Sequence, residues 1–358
     1  MAPLPTEKNI FTTVPPQIQE KKSGQLRDEQ IRQFFEEGFV VVEDFFDKET
    51  ELEPCREAIN KLVDDCAKKW FAAGKIHNLH SDKGFNERLT YLEKELPGAT
   101  VLLHKLGKLP VAFQKVWSNE RILNVVEQLI GSDIQGHPVW NLRTKCPNNE
   151  ATVVPWHQDS AYLDENSYDV LQVTAWIPLI DANETNGCMQ VVRKGHKKGI
   201  VAKHSCCVGN TWYVMLEPEE MINTLECDME SNVVTCPVPY GGVLLLSNMI
   251  PHQSLPNKSN IIRWSLDLRW QKSNTNVGFH GLKEGIEMRR SGCKYEIDWK
   301  PFLSQKQMNN ILSDPSKTAE ENEFDTTITG PWMKRWEIVH ENKHTDRLQE
   351  IDNAYSKP

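Results

Sequence analysis

From Arg263 to Trp270 the chain reads Arg-Trp-Ser-Leu-Asp-Leu-Arg-Trp, alternating without a break. A period of two is the mark of a β-strand whose faces meet different surroundings. One face carries Trp264, Leu266, Leu268 and Trp270; the other carries Arg263, Ser265, Asp267 and Arg269. The apolar face needs cover from helices. The charged face, if it points into a barrel, needs partners, because an unpaired buried guanidinium is very costly.

The rest of the chain supplies both kinds of element. A helix is expected from Leu26, with Asp28 as its cap, Ile31, Phe34 and Phe35 on one face, and Gly38 as its stop. Phe39–Val42 is β-branched and reads as a strand. A second helix is expected over 48–71 with Leu52, Ile59, Leu62 and Val63 at helical intervals, while 72–110 has no clear pattern. Ser118 or Asn119 caps a third helix, in which Ile122, Val125, Val126, Leu129 and Ile130 line one face before Gly131.

After Gly131 the texture changes to short strands between turn signals, from about 134 to 271. Asp169 to Trp176 alternates, Asn186-Gly187 is a hairpin dipeptide, and Gly241-Gly242 introduces the apolar run Val243 to Leu246. Helical segments follow at 301–312 and 332–350. Helices first and many antiparallel strands afterwards predict a mainly β fold with flanking helices, its core a double-stranded β-helix (jelly roll, cupin-like). Residues 1–24, polar and carrying four prolines, are expected as a flexible leader. Residues 25–350 are expected as a single domain: helical part 25–131, jelly-roll core 132–272, helical extension 273–350.

Composition excludes several classes. A net charge of -9 argues against a nucleic-acid partner, and no apolar run approaches the roughly 20 residues of a membrane helix. The nine cysteines are irregularly spaced with no C-x-x-C, which argues against a disulfide framework or a structural zinc site. Met1 to Lys8 contain no hydrophobic signal core, and Tyr355 to Pro358 is not a peroxisomal address, so a cytoplasmic location is expected.

The chemistry concentrates in two places. In Trp156-His157-Gln158-Asp159, a strand would put His157 and Asp159 on one side, where imidazole and carboxylate suit a divalent metal. An H-x-D alone arises often by chance. His252, after the apolar strand, offers a third ligand, and a facial triad leaves coordination positions open. Arg263 then offers a planar fork suited to a carboxylate, and a dicarboxylate co-substrate answers the need of an inward arginine. Its alternative is a structural ion pair with Asp267 or another acid.

These residues resemble the phytanoyl-CoA dioxygenase family. The agreement runs from about Asp28 to Trp270. It is carried by Ile31 to Val41, by Pro155-Trp156-His157-Gln158-Asp159, by Ala175-Trp176-Ile177-Pro178-Leu179 with Asn186-Gly187-Cys188, and by His252-Gln253-Ser254, Pro256 to Ser259 and Arg263. The resemblance implies Fe(II) held by His157, Asp159 and His252, with 2-oxoglutarate and O2 as co-substrates. It implies that Arg263 and Ser254 hold the distal carboxylate of 2-oxoglutarate and that Trp176, on one face with Gln172 and Thr174, lines the cavity. Asn141, Arg143 and Lys145 share a face on the strand before the metal motif and are further candidates for co-substrate or substrate contact. The implied activity is hydroxylation of a small molecule with release of succinate and CO2.

One departure is Arg193-Lys194-Gly195-His196 followed by Lys197-Lys198-Gly199, where the family has a Pro-Gly-Ser-His turn. This basic cluster either helps an anionic substrate enter or simply faces solvent. Two rival readings exist: an inactive family member acting as a binding or regulatory module, and a metal-dependent hydrolase or isomerase on a cupin-like barrel. The intact triad and arginine argue against the first, and the second would not need Arg263 and Ser254 after the third ligand. The loops 72–110 and 200–235 carry no legible motif, so neither the substrate nor the oligomeric state is readable.

Overall fold

The computed structural model describes residues 9–305 and 318–348. The N-terminal half is helical: α1 (Asp28–Glu37), α2 (Glu53–Ala72), α3 (Arg88–Glu95), α4 (Ala99–Lys105), α5 (Val111–Trp117) and α6 (Glu120–Ile130). Helix α1 begins at Asp28 rather than being capped by it; Arg27 precedes it in extended conformation, and its N–H donates to Gln30 Oε1. Gly38 ends the helix at φ 90°, a left-handed conformation that glycine adopts without strain. The expected second helix divides into a π-turn at Lys48–Leu52 and α2, and 72–110 holds α3 and α4. Asn119, not Ser118, caps α6, accepting from the N–H of Arg121.

The strands are β1 (Phe39–Val42), β2 (Ile134–Gly136), β3 (Asn141–Lys145), β4 (Gln172–Pro178), β5 (Met189–Val192), β6 (Ser205–Cys206), β7 (Val214–Met215), β8 (Val233–Cys236), β9 (Val243–Ser247), β10 (His252–Ser254), β11 (Arg263–Lys272), β12 (Ile286–Arg289) and β13 (Glu337–Ile338). A seven-stranded sheet has the order β1-β9-β4-β11-β2-β12, with β3 also on β11. A three-stranded sheet, β10-β5-β8, opposes it, and a small third sheet joins β13, β6 and β7. The opposed antiparallel sheets and flanking helices agree with the jelly-roll expectation.

The alternation of the strands decides which layer each side chain joins. Val173, Ala175 and Ile177 of β4, Leu245 of β9, and Trp264, Leu266, Leu268 and Trp270 of β11 pack into the main core with the helices. The opposite faces give Phe39, Trp176, Leu244 and Leu246, which pack on Met189, Val191 and Cys236 of the small sheet. The inward face of β11 therefore lies between the two sheets, as its sequence demands.

Three expectations need correction. Residues 9–24 contain no helix or strand, but they are docked rather than loose: Phe11 is buried in the main core, and Gln17 Nε2 donates to the carbonyl of Gln128. Asn186-Gly187 turns the chain from β4 in the large sheet to β5 in the small one, so it makes no hairpin. Gly187 is required there, because at φ 85° a Cβ would lie 2.4 Å from the carbonyl oxygen of Leu255. The C-terminal part holds helices at Trp299–Ser304 and 343–348 and a 3-10 turn at Pro331–Arg335; positions 306–312 and 349–350 of the expected helices lie outside the described residues. One disulfide joins the neighbours Cys206 and Cys207 and closes no loop, so it forms no framework.

Candidate metal centre

His157, Asp159 and His252 are brought together, their ligand atoms all within 4.8 Å of one another, and all three are buried. Among the described residues they are the group of metal-ligating side chains with this geometry. The route differs from the expected strand. His157 lies in an isolated bridge opposite His252, each donating its backbone N–H to the other's carbonyl at 3.0 and 2.9 Å. Asp159 starts a 3-10 turn, Asp159–Tyr162. The turn still points its carboxylate at the histidines: Oδ1 is 3.6 Å from His157 Nε2 and 3.8 Å from His252 Nε2.

Backbone carbonyls set the imidazoles. Nδ1 of His157 lies 2.8 Å from the carbonyl oxygen of Pro155, and Nδ1 of His252 lies 3.0 Å from that of Ile250. Each Nδ1 therefore carries the proton and donates, and each Nε2 lone pair faces the centre, the tautomer a metal ligand needs. Burial brings His252 down to about 4, so it is neutral at physiological pH. For Asp159, burial alone pushes the carboxyl up, but the Arg269 guanidinium, bonded to both of its oxygens, outweighs it and holds it well below the usual carboxylate range.

Arg269 is the residue that sequence reasoning missed. Its Nε donates to Asp159 Oδ2 at 3.1 Å and its Nη2 to Oδ1 at 3.0 Å, a bidentate pair inside the barrel. Thr174 Oγ1 donates to the same Oδ2 at 2.9 Å. The signal was present in the alternation, which put Arg269 on the inward face of β11 without naming its partner.

Arg263 lies on the same face and is 2% exposed. Its Nη1 donates to Ser265 Oγ at 2.6 Å, and its Nε has no partner. The alternative reading of an Arg263–Asp267 pair fails, because Asp267 Oδ2 accepts instead from Arg143 Nε at 2.9 Å. Burial brings Arg263 down to about 10 despite nearby Asp267, so it stays cationic. Lys145, directly across the ladder from Arg263, is 1% exposed and its Nζ is also unpartnered. Burial, with Arg263 and Arg143 close by, pushes the Lys145 amine well below its ordinary value. Trp176 presents its ring to the Arg263 guanidinium at 5.0 Å, a cation–π contact.

Two cavities meet at the triad. The smaller, about 60 Å³, runs from His157, Asp159 and His252 to Trp176, Ser254, Lys145 and Arg263. The larger, about 150 Å³, also begins at His157 and Asp159 and is lined by Asn141, Arg143, Trp140, Gln172 and Lys283. Asn141 thus faces the larger cavity, and Arg143 reaches both. The basic cluster at 193–198 is outside both. Arg193 and Lys194 lie near Glu37, and Lys198 pairs with Glu226, so the cluster makes local ion pairs rather than lining the site.

A family model described as phytanoyl-CoA dioxygenase matches residues 34–265, well over half the chain. The chain belongs to the phytanoyl-CoA dioxygenase family. Its relatives include a 1-deoxypentalenic acid 11-beta-hydroxylase of Streptomyces arenae, 26% identical over 195 residues, with 51% of this chain and 65% of the relative covered. Phytanoyl-CoA dioxygenase 1 of Oryza sativa subsp. japonica is 25% identical over 280 residues, covering 70% of this chain and 94% of the relative. The chain thus spans a little under two thirds of the length of the hydroxylase it matches. Among solved structures, the non-heme monooxygenase ThoJ in its apo form overlaps with a TM-score of 0.47 at 17% identity, covering 72% of this chain and 83% of that one. Within the family match lie the metal triad and Arg263. Arg269 and Lys283 lie beyond its end.

Proposed function

We propose that this chain is a non-haem Fe(II)- and 2-oxoglutarate-dependent dioxygenase that hydroxylates a small molecule, releasing succinate and CO2. The observation that carries the reading is the pair of cavities meeting at His157 and Asp159, the smaller ending in the buried Arg263 cation and the buried Lys145 amine, each with an unpartnered atom. Buried cations need anions, and a small dicarboxylate fits a chamber with metal ligands at one end and Arg263 and Lys145 at the other.

The donor set fits iron: two imidazoles and one carboxylate, with open positions, suit a non-haem Fe(II) oxygenase. Bound there, iron with 2-oxoglutarate supplies the activation of O2 that hydroxylation needs. The chain's own residues do the rest. The carbonyls of Pro155 and Ile250 hold the histidine tautomers. Arg269 and Thr174 keep the Asp159 carboxylate ionised and oriented. Arg263, assisted by Lys145 and Ser254, grips the far carboxylate of the co-substrate, and Trp176 packs on the guanidinium. Asp159 also favours hydroxylation over halogenation, since a halide would need the position the carboxylate takes.

The hydroxylase and dioxygenase names of the relatives support the same chemistry. No helix among the described residues is long and apolar enough to cross a membrane. Seven of the nine cysteines are unpaired and the one disulfide, between neighbours, closes no loop, a cysteine usage that supports a cytoplasmic location. The test is iron- and O2-dependent formation of succinate from 2-oxoglutarate by the purified protein. Asp159→Ala should abolish it while the circular dichroism spectrum stays unchanged. Undiminished succinate formation by that variant would remove Asp159 from the metal centre.

A further inference from the structure

The larger cavity contains a buried cation that the co-substrate reading leaves unused. Lys283, in the loop between β11 and β12, is 6% exposed and lines this cavity. Among the described residues no carboxylate pairs with it; its ammonium sits 3.8 Å from the centroid of the Phe302 ring. Burial brings Lys283 down to about 8, which leaves it protonated at neutral pH. An aromatic face offsets only part of the desolvation of an ammonium.

Two further polar groups point the same way. Gln172 is 1% exposed and Trp140 8% exposed; both line this cavity, and Gln172 Nε2 and Trp140 Nε1 are buried without partners. All three unmatched groups are hydrogen-bond donors. Among the described residues lining the cavity, no acceptor is left in that state. Unpartnered buried donors are costly, so a lining with a surplus of donors selects a ligand rich in acceptors.

Leu62, Leu103, Leu163, Phe279, Ile328 and Trp332 give the cavity an apolar stretch of wall, beside polar residues such as His137, Arg143 and Tyr162, and the cavity ends at His157 and Asp159. Exposed Lys108 and Leu106 stand at its rim. A volume of about 150 Å³ is that of a cavity holding a benzene-sized body.

We propose that the larger cavity takes a compact, ring-sized apolar metabolite bearing an anionic oxygen head, carboxylate or phosphate, which Lys283 holds while the body lies against the metal centre. Gln172 and Trp140 serve the substrate's other acceptors. This rests on the oxygenase reading for the role of the site but not for the binding itself.

The experiment is quenching of tryptophan fluorescence in the Fe(II)- and 2-oxoglutarate-loaded protein without O2, since Trp140, Trp212 and Trp332 line the cavity. The probes are cyclohexylacetate, its neutral amide cyclohexylacetamide, and cyclohexyl phosphate. One of the two anions should bind at least about tenfold more tightly than the amide, the size expected of a charge-assisted hydrogen bond. Lys283→Met should erase that preference while leaving amide affinity and thermal midpoint in place, and Lys283→Arg should restore part of it. The tighter anion identifies the head as carboxylate or phosphate. Equal binding of anion and amide, an unchanged preference in Lys283→Met, or no binding by any probe would overturn the proposal. The visible band of the Fe(II)–2-oxoglutarate chelate, recorded in the same cuvette, reports separately on the oxygenase reading: losing the band but keeping the anion preference would sink that reading alone.

Discussion

Two arginines of β11 share one face of one strand, yet they live in opposite circumstances. Arg269 is matched: two bonds to Asp159 and a third, at 3.3 Å, to the carbonyl of Val139. Arg263 has one bond to a hydroxyl, an unpartnered Nε and a buried lysine across the ladder. Burial is similar, so burial does not explain the difference. A buried cation that is matched within the protein belongs to the architecture. One that is left unmatched beside a cavity marks the place of an anion from outside.

The comparison is broken most directly by removing each charge. Arg269→Met leaves Asp159 buried without its cation, and should cost the metal-free protein about 3–5 kcal/mol in urea unfolding. Arg263→Met removes an incompletely matched charge, and should shift the same unfolding curve far less. Equal losses from the two variants would erase the distinction.

Binding should show the reverse order. Arg263→Met should raise the 2-oxoglutarate concentration for half-saturation about tenfold to a hundredfold, the worth of a charge-assisted contact. Lys145→Met should raise it less, and without loss of thermal midpoint, because the amine it removes has no partner in the fold. An unchanged titration in Arg263→Met would contradict its role in holding the co-substrate.

A smaller effect follows from buried histidines outside the triad. Burial brings His137, His196 and His344 each down to about 4 from an ordinary 6.5. The unfolded chain takes up protons near 6.5 that the folded chain refuses until about 4. Stability is therefore full above about 6.5 and falls as the pH drops through that window. Unfolding midpoints measured at pH 7, 6, 5 and 4 should decrease in that order; a flat series would show that these histidines charge freely in the fold.

How much of this was legible beforehand follows from the range of each interaction. The outer face of β11, the helix ending at Gly38 and the helix capped by Asn119 are written in local periodicity and turn chemistry. So was the inward face of β11, and with it the position of Arg263. The triad residues were named from spacing and resemblance, but the 3-10 turn that aims Asp159 was not, because a two-residue strand period and a short turn both bring His157 and Asp159 to one centre. The Arg269–Asp159 clamp joins positions far apart in the chain, and no local pattern says which carboxylate an inward arginine meets. Lys283 was hidden for the same reason: its burial depends on Phe302 from a separate segment. Asn186-Gly187 misled because a tight turn says nothing about which sheet the next strand enters.

The central claim is that His157, Asp159 and His252 hold iron with 2-oxoglutarate chelated toward Arg263. It is tested most directly by adding Fe(II) and 2-oxoglutarate to the metal-free protein without O2 and recording the visible spectrum. The account predicts a charge-transfer band that is absent in His252→Ala and needs more 2-oxoglutarate to appear in Arg263→Met. Iron that loads stoichiometrically in the unaltered protein with no band at saturating 2-oxoglutarate would contradict it.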